Sequence, residues 1–414
     1  MKKDILPLLR CPFCGVHVSV ASGGIYHEEN GTLKTAILGC ECCAYPLVDG
    51  IPVLLATDCT REALKALDAN HIDRARQILL GIDDTSLRAL LKLTAGNRKP
   101  KYRELLEAIS DDAESSYFLY RFSDPTYRSA DAIIRALITH CHYSTEGAVL
   151  DLCGGSGHLT RSLLARPGRG NTVLADLYYW KLWIAKRTTA IDSTAVCCDA
   201  NNPLPFVSRH FSTVVLSDAF PYVWHKRLCA DEMMRVGTED GIIIMPHLHS
   251  ARGENVSAGN TLTPESYQRL FAQRHTKLFD DKILLDELLR NSAIDLTDHR
   301  EPLALRNTPA ITLISATADW VFKRHQIETN IDIRDSLIVN PLYDVSYKNG
   351  SSHLTLQFPT PEYGDEYQEL RRYLPDKLVI SADLRGPLTA DKIGNDYSEL
   401  RRQCVLLDVP NHYY

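Results

Sequence analysis

The chain has 414 residues, 12 of them cysteine, with 46 Lys and Arg against 52 Asp and Glu and a formal net charge of −6. That length exceeds what one hydrophobic core usually supports, so several structural units are expected. The acidic balance offers phosphate backbones no general attraction and no long basic block overrides it, which demotes nucleic acid as a substrate. The apolar run Ile5 to Leu9 is too brief for a signal peptide or a membrane span, so a cytoplasmic chain free of membrane is expected.

The first chemical signal is LLRCPFCG followed by GCECCAYPLVDGIPVLL, which bring Cys11, Cys14, Cys40, Cys42 and Cys43. Two pairs of cysteines set two residues apart match the knuckles of a closed, structural four-thiolate zinc site. Cys11, Cys14 and Cys40 are three ligands; the fourth is Cys42 or Cys43, and the two-residue gap selects Cys43. Tyr45 to Leu55 resembles the zinc ribbon of the small activator protein of tRNA and protein methyltransferases. The remaining cysteines, among them Cys59, Cys141 and Cys404, show no disulfide framework, and thiols suit a reducing compartment. From residue 58 to 145, Leu-rich helical periodicity predicts several amphipathic helices. The stretch SYFLYRFSDPTYR, 116 to 128, is a candidate lid over a pocket, with no chemical role assigned to Tyr117 or Tyr120.

The sharpest signal is AVLDLCGGSGHLTRSLL, 148 to 164: an apolar strand, a glycine turn at Gly154, Gly155 and Gly157, and a helix start whose free N–H groups face an anionic ligand. A dinucleotide fingerprint counted from Gly155 requires a third glycine where Thr160 stands, so that reading weakens. The loop resembles motif I of the class I S-adenosylmethionine-dependent methyltransferases through Asp151, Gly155, Ser156 and Gly157. Cys153 occupies the place of the first glycine.

Downstream segments follow in the order that resemblance implies. A second strand ends in Asp176 and Leu177, where an acid accepts from ribose hydroxyls. A third ends in Asp199 and Ala200, the segment that touches adenine in the family. A fourth, 211 to 220, has Ser212 where the family commonly has Asp, and ends in Ser217 and Asp218. The fifth, within 230 to 250, ends in His247 and His249. The resemblance thus implies a cofactor site of Asp151, Cys153, Gly154, Gly155, Gly157, Asp176, Leu177, Asp199, Ala200 and Ser217.

Methyl transfer from a sulfonium is an in-line displacement, so the protein mainly aligns the acceptor and removes a blocking proton. Asp218, His247 and His249 are the candidate catalytic residues; on an extended backbone the two histidines point the same way and could hold a base, a substrate group or a metal.

Alternating strands and helices imply an α/β fold: a Rossmann-like, doubly wound methyltransferase core with an N-terminal zinc ribbon, a helical insert and a C-terminal α/β module. The expected divisions are 1–57 (ribbon), 58–125 (helical region), 126–320 (core) and 321–414 (module of unknown role). In the last of these, SLIVNPLYDVSYKNGSSHLTLQF predicts a hairpin turning at Asn349-Gly350. The expected activity is methylation of a small-molecule acceptor, with S-adenosylmethionine and structural zinc as cofactors. An RNA or protein methyltransferase, or a silent cofactor-binding scaffold, stands as the alternative.

Overall fold

The computed structural model describes residues 1–96, 98–109, 113–139, 147–165, 171–252, 259–327 and 335–414; Cys141 lies outside them. Five short strands form an antiparallel ribbon at the amino end: β1 (Ser19–Val20), β2 (Tyr26–Glu29), β3 (Thr32–Gly39), β4 (Ala44–Val48) and β5 (Ile51–Pro52). Asn30 and Gly31, at φ 48° and 73°, make the β2–β3 turn, the left-handed pair a two-residue hairpin requires. The ribbon has no core of its own. Leu9, Leu33, Leu38 and Leu47 are buried in one cluster with Val173, Val196 and Phe206, and Leu54 N–H donates to Cys197 O at 2.8 Å.

Helices α1 (Asp58–Asp68), α2 (Ile72–Leu80), α3 (Asp84–Ala95), α4 (Tyr102–Ile109), α5 (Ala113–Leu119) and α6 (Pro125–Thr139) follow. Thr57 caps α1 by accepting from Thr60 N–H, Asp83 caps α3 by accepting from Ser86 N–H, and Gly81 closes α2 at φ 70°. Each side-chain cap satisfies a helix donor that would otherwise lack a partner. One ion pair ties ribbon, helices and core together. Asp49, in the β4–β5 turn, accepts from Arg76 through both oxygens at 2.7 and 2.8 Å and from Trp183 Nε1 at 2.7 Å. Burial alone would raise the Asp49 pKa, but the Arg76 guanidinium holds it below the usual carboxylate value. Removing one partner of so shielded a pair costs about 3–5 kcal/mol.

The core is one seven-stranded sheet built from β6 (Ala148–Leu152), β7 (Thr172–Asp176), β8 (Thr194–Cys197), β9 (Phe211–Val215), β10 (Gly237–His249), β11 (Thr276–Asp280) and, after the short β12 (Ala293–Asp295), β13 (Ala310–Ser315). The order is β11-β13-β10-β9-β6-β7-β8. β10, β9, β6, β7 and β8 run parallel, whereas β13 is antiparallel to both β10 and β11. β6 and β7 are buried at every position, as strands covered on both faces must be. The crossover helices α7 (Thr160–Leu164), α8 (Tyr179–Ala185) and α9 (Lys226–Val236) make the sheet doubly wound, and α10 (Pro264–Leu270) and α11 (Asp281–Asn291) flank β11.

The sequence reading anticipated β6 to β10 but not β11. Only Leu278 and Phe279 of that strand are buried, too few apolar positions to announce it. In the tail, β14 (Arg324–Gln326) pairs with β12 and β15 (Ser336–Val339) with β19 (Leu406–Val409), while β16 (Tyr343–Lys348), β17 (Ser351–Leu356) and β18 (Lys377–Ile380) form a small sheet. The hairpin at Asn349-Gly350 is present, with Lys348 opposite Ser351. The tail then returns to the core: the Tyr413 ring stacks on Tyr102 at 4.4 Å, and its hydroxyl donates to Phe118 O at 2.7 Å. Among the described residues no helix is long and apolar enough to cross a membrane.

Candidate functional site

The loop after β6 turns because its residues permit left-handed backbone. Cys153, Gly155 and Gly157 have φ of 58°, 55° and 79°. A Cβ on Gly157 would stand 2.8 Å from Ala190 Cβ, and one on Gly154 would stand 2.5 Å from Leu174 Cδ1, so these two glycines let the loop settle against its own core. Cys153 adopts a conformation that costs an ordinary residue about 1 kcal/mol; the loop's geometry is therefore that of a glycine despite the substitution.

Beneath the loop, Asp151 is buried and accepts from the Thr160 hydroxyl at 2.6 Å. Burial drives its pKa up to about 7, against the opposing Thr160 hydrogen bond. Asp176 Oδ2 accepts from Gly155 N–H, and its Oδ1 from Tyr178 N–H, each at 2.9 Å. Past Asp176 the chain opens outward, with Leu177 40% and Tyr178 49% exposed. Asp199 accepts from the Asn201 backbone N–H at 2.8 Å, and Ala200 is buried beside it. The Ser217 hydroxyl is buried with no hydrogen-bond partner among the described residues.

An adenosyl ligand fits this set: backbone N–H groups at a turn, a carboxylate at the second strand end, and a buried hydroxyl in want of a partner. The structure places all ten sequence-predicted cofactor residues at or just past the carboxyl ends of β6 to β9. Asp151 sits underneath, bracing Thr160.

The three candidate catalytic residues meet at the ends of β9 and β10. One ligand atom from each of Asp218, His247 and His249 lies within 4.8 Å of the others. They do not meet on a plain extended strand, as the sequence reading assumed. The pairing of β10 with β13 shifts between Met245 and Leu248, and His247 takes φ 56°. This bulge re-aims the side chains, leaving the two rings 5.0 Å apart. Asp218, itself at φ 60°, is 3.2 Å from His249 Nε2 and accepts from the Tyr117 hydroxyl at 2.9 Å.

Three partners escaped the sequence reading because they come from distant segments: Tyr117, Arg121 and Asp281. Asp281, at the start of α11, lies 2.8 Å from His247 Nδ1. Arg121 pairs with Asp124 at 2.8 Å and stands 3.8 Å from Asp218. Burial opposes charge on His247, yet the Asp281 hydrogen bond and the Asp218 charge raise its pKa to about 9. Burial likewise opposes ionisation of Asp218, but His249, His247 and Arg121 together hold it well below the carboxylate range. The segment 116–128 covers this end of the sheet, with the Phe118 ring against Gly155 and Tyr117 on Asp218.

At the amino end the sulfurs of Cys11, Cys14, Cys40 and Cys42 converge. The Cys11–Cys42, Cys14–Cys40 and Cys40–Cys42 separations are 3.6, 3.7 and 3.7 Å. A tetrahedron with metal–sulfur bonds of about 2.3 Å has edges of about 3.8 Å, so the four thiols are compatible with zinc. The selection of Cys43 is corrected to Cys42. Cys43 spends its backbone on the knuckle: its N–H donates to Cys40 Sγ at 3.3 Å and its carbonyl accepts from Cys40 N–H at 3.0 Å. That closed pair leaves the intervening Cys42 over the centre. Tyr45 OH approaches Cys11 Sγ at 3.1 Å.

With this geometry in place, comparison with known families is decisive for the stretch from β6 into β10: residues 149–241 match the family described as methyltransferase domain. Over these residues the chain carries a methyltransferase domain. No curated protein matches the chain.

Among solved structures, this chain resembles a chain of the complex between the Haloferax volcanii Trm112 methyltransferase activator and a methyltransferase, at 16% identity over 53% of this chain and 99% of that one, TM-score 0.37. The Bacillus subtilis YcgJ protein shares 14% identity over 47% of this chain and 98% of its own, TM-score 0.32. An Aquifex aeolicus S-adenosylmethionine-dependent methyltransferase shares 10% over 50% and 98%, TM-score 0.33. These overlaps are too partial to carry the assignment, which rests on the domain match.

Proposed function

We propose that this methyltransferase acts on a small-molecule acceptor held between the glycine loop and the Asp218–His249 pair. The observation that supports this reading is the enclosure of the charged cluster: Arg121 and Asp124 side chains are only 7% and 8% exposed, and Asp218 and His249 21% and 19%. A narrow, shielded seat suits a small acceptor better than a polymer surface, and the net charge of −6 agrees.

Gly154, Gly155, Gly157, Asp176, Leu177, Asp199, Ala200 and Ser217 would hold the cofactor, with Asp151 and Cys153 shaping the loop. S-adenosylmethionine supplies an electrophilic methyl group, its sulfur keeping the electrons of the broken bond. Asp218 and His249 orient the acceptor's O–H or N–H, while Tyr117 and Arg121 fix the carboxylate.

Cys11, Cys14, Cys40 and Cys42 would hold structural zinc, closing a ribbon too small to fold on its own apolar surface. Thiolate ligands suit a reducing compartment, and we place the chain in the cytoplasm. The divisions 1–57, 58–125, 126–320 and 321–414 are retained as ribbon, helical cover, catalytic core and tail.

The test is turnover with methyl-labelled cofactor against separate metabolite, RNA and protein fractions. Label is expected in the metabolite fraction and lost in Asp218→Asn; label confined to RNA or protein would overturn the acceptor class.

A further inference from the structure

We propose that Asp218, His247 and His249 form a second metal site, distinct from the cysteine site, which takes a divalent transition-metal ion and presents it to the acceptor. The last clause rests on the acceptor seat proposed above; the metal site itself does not.

Three features carry the inference. First, the donor set is two imidazole nitrogens and one carboxylate oxygen, mutually within 4.8 Å, at the ends of adjacent strands. Two nitrogens favour manganese, iron, cobalt or zinc over magnesium or calcium, and three protein donors leave positions open for acceptor oxygen or water.

Second, the donors are supported as metal ligands usually are. His247 engages Asp281 through Nδ1 at 2.8 Å, which leaves Nε2 as its ligand atom. Asp281 is in turn held by the Thr312 hydroxyl. This carboxylate–histidine arrangement fixes the tautomer and orientation of a ligating imidazole. On the other side, the Tyr117 hydroxyl binds Asp218 Oδ2 at 2.9 Å while Asp218 Oδ1 faces His249 at 3.2 Å, so one carboxylate oxygen remains directed at the histidines.

Third, charge balance leaves room for a cation. Among the described residues, the ion pairs of the cluster set the carboxylates of Asp124, Asp218 and Asp281 against the guanidinium of Arg121, a surplus of two negative charges before the histidines are counted.

The test is titration of the whole chain, loaded with one equivalent of zinc for the thiolate site, with cobalt(II) chloride, read by calorimetry and by the visible spectrum. One cobalt per chain is expected beyond the zinc, with the weak bands of nitrogen–oxygen coordination rather than intense thiolate charge transfer. Cobalt binding should vanish in His249→Gln and weaken on the order of 10- to 100-fold in Asp281→Asn, each variant keeping its zinc. No cobalt bound at millimolar concentration, or equal binding in both variants, would overturn the proposal. S-adenosylhomocysteine binding, measured in parallel without cobalt, reports on the cofactor crevice separately, so failure of one reading is distinguishable from failure of the other.

Discussion

The glycine loop and the Asp218–His247–His249 cluster lie at the same end of one sheet, but they are built in opposite ways. The loop is a contiguous stretch in which each residue's backbone freedom dictates the turn; distant groups only brace it, Asp176 at Gly155 N–H, the Ala175 carbonyl at Gly154 N–H, and the Tyr102 and Thr189 hydroxyls at Ser156. The cluster is assembled from four segments, namely 116–128, the ends of β9 and β10 and the start of α11, and two of its members hold left-handed backbone that no glycine provides. Local chemistry specifies the first, and only the completed fold specifies the second. The lesson is that a binding loop can be read from spacing, whereas an acceptor seat has to be read from bulges and buried pairs.

The largest effect should come where local spacing alone misled. Cys42→Ser should release the metal, dropping zinc content from about one per chain to near zero after dialysis against chelator, while Cys43→Ser retains it. Elemental analysis decides, and the reverse pattern would restore the two-residue spacing.

Within the loop, Gly157→Val places a β-branched side chain at φ 79° and 2.8 Å from Ala190 Cβ. A loss of about 3 kcal/mol is expected in urea unfolding; a loss under 1 kcal/mol would mean that the loop is less constrained than its geometry indicates.

The assembled side of the comparison has its own probe in His158. It lies buried among Tyr102, Phe122 and Tyr413, with Nε2 2.6 Å from the Tyr413 hydroxyl. Burial, reinforced by the charge on Arg121, lowers its pKa from the ordinary 6.5 to about 3. The unfolded chain therefore binds more protons between these values, and stability should fall as pH drops from 6.5 towards 3. This dependence should be shallower by about 2 kcal/mol in His158→Gln, measured by unfolding at a series of pH values; identical slopes would remove His158 as its source.

The smallest effect concerns Cys153, whose φ of 58° suits glycine. Cys153→Gly should change stability by no more than about 1 kcal/mol and leave S-adenosylhomocysteine affinity in place. A strong loss in calorimetry would show that the thiol itself contributes to the site.

Much of the core was legible because buried parallel strands leave apolar runs and their carboxyl ends fall at fixed intervals; Asp151, Asp176, Asp199 and Asp218 were found this way. Asp218, His247 and His249 were legible as strand-end residues, but their convergence through a bulge was not, since a register shift leaves no mark in period-two alternation. Tyr117, Arg121 and Asp281 were invisible for a different reason: each reaches the cluster from a helical or turn segment distant in sequence, and its partner is set by packing. Between Cys42 and Cys43 the spacing favoured the wrong one, because the knuckle closes through backbone groups, which carry no sequence signature.

Titration calorimetry of S-adenosylhomocysteine against the wild type and Asp176→Ala tests the central claim most directly. Binding of about one molecule per chain, weakened by at least about tenfold when the Asp176 carboxylate is removed, is the predicted result. Absence of binding to the wild type, or equal affinity in the two proteins, would contradict it.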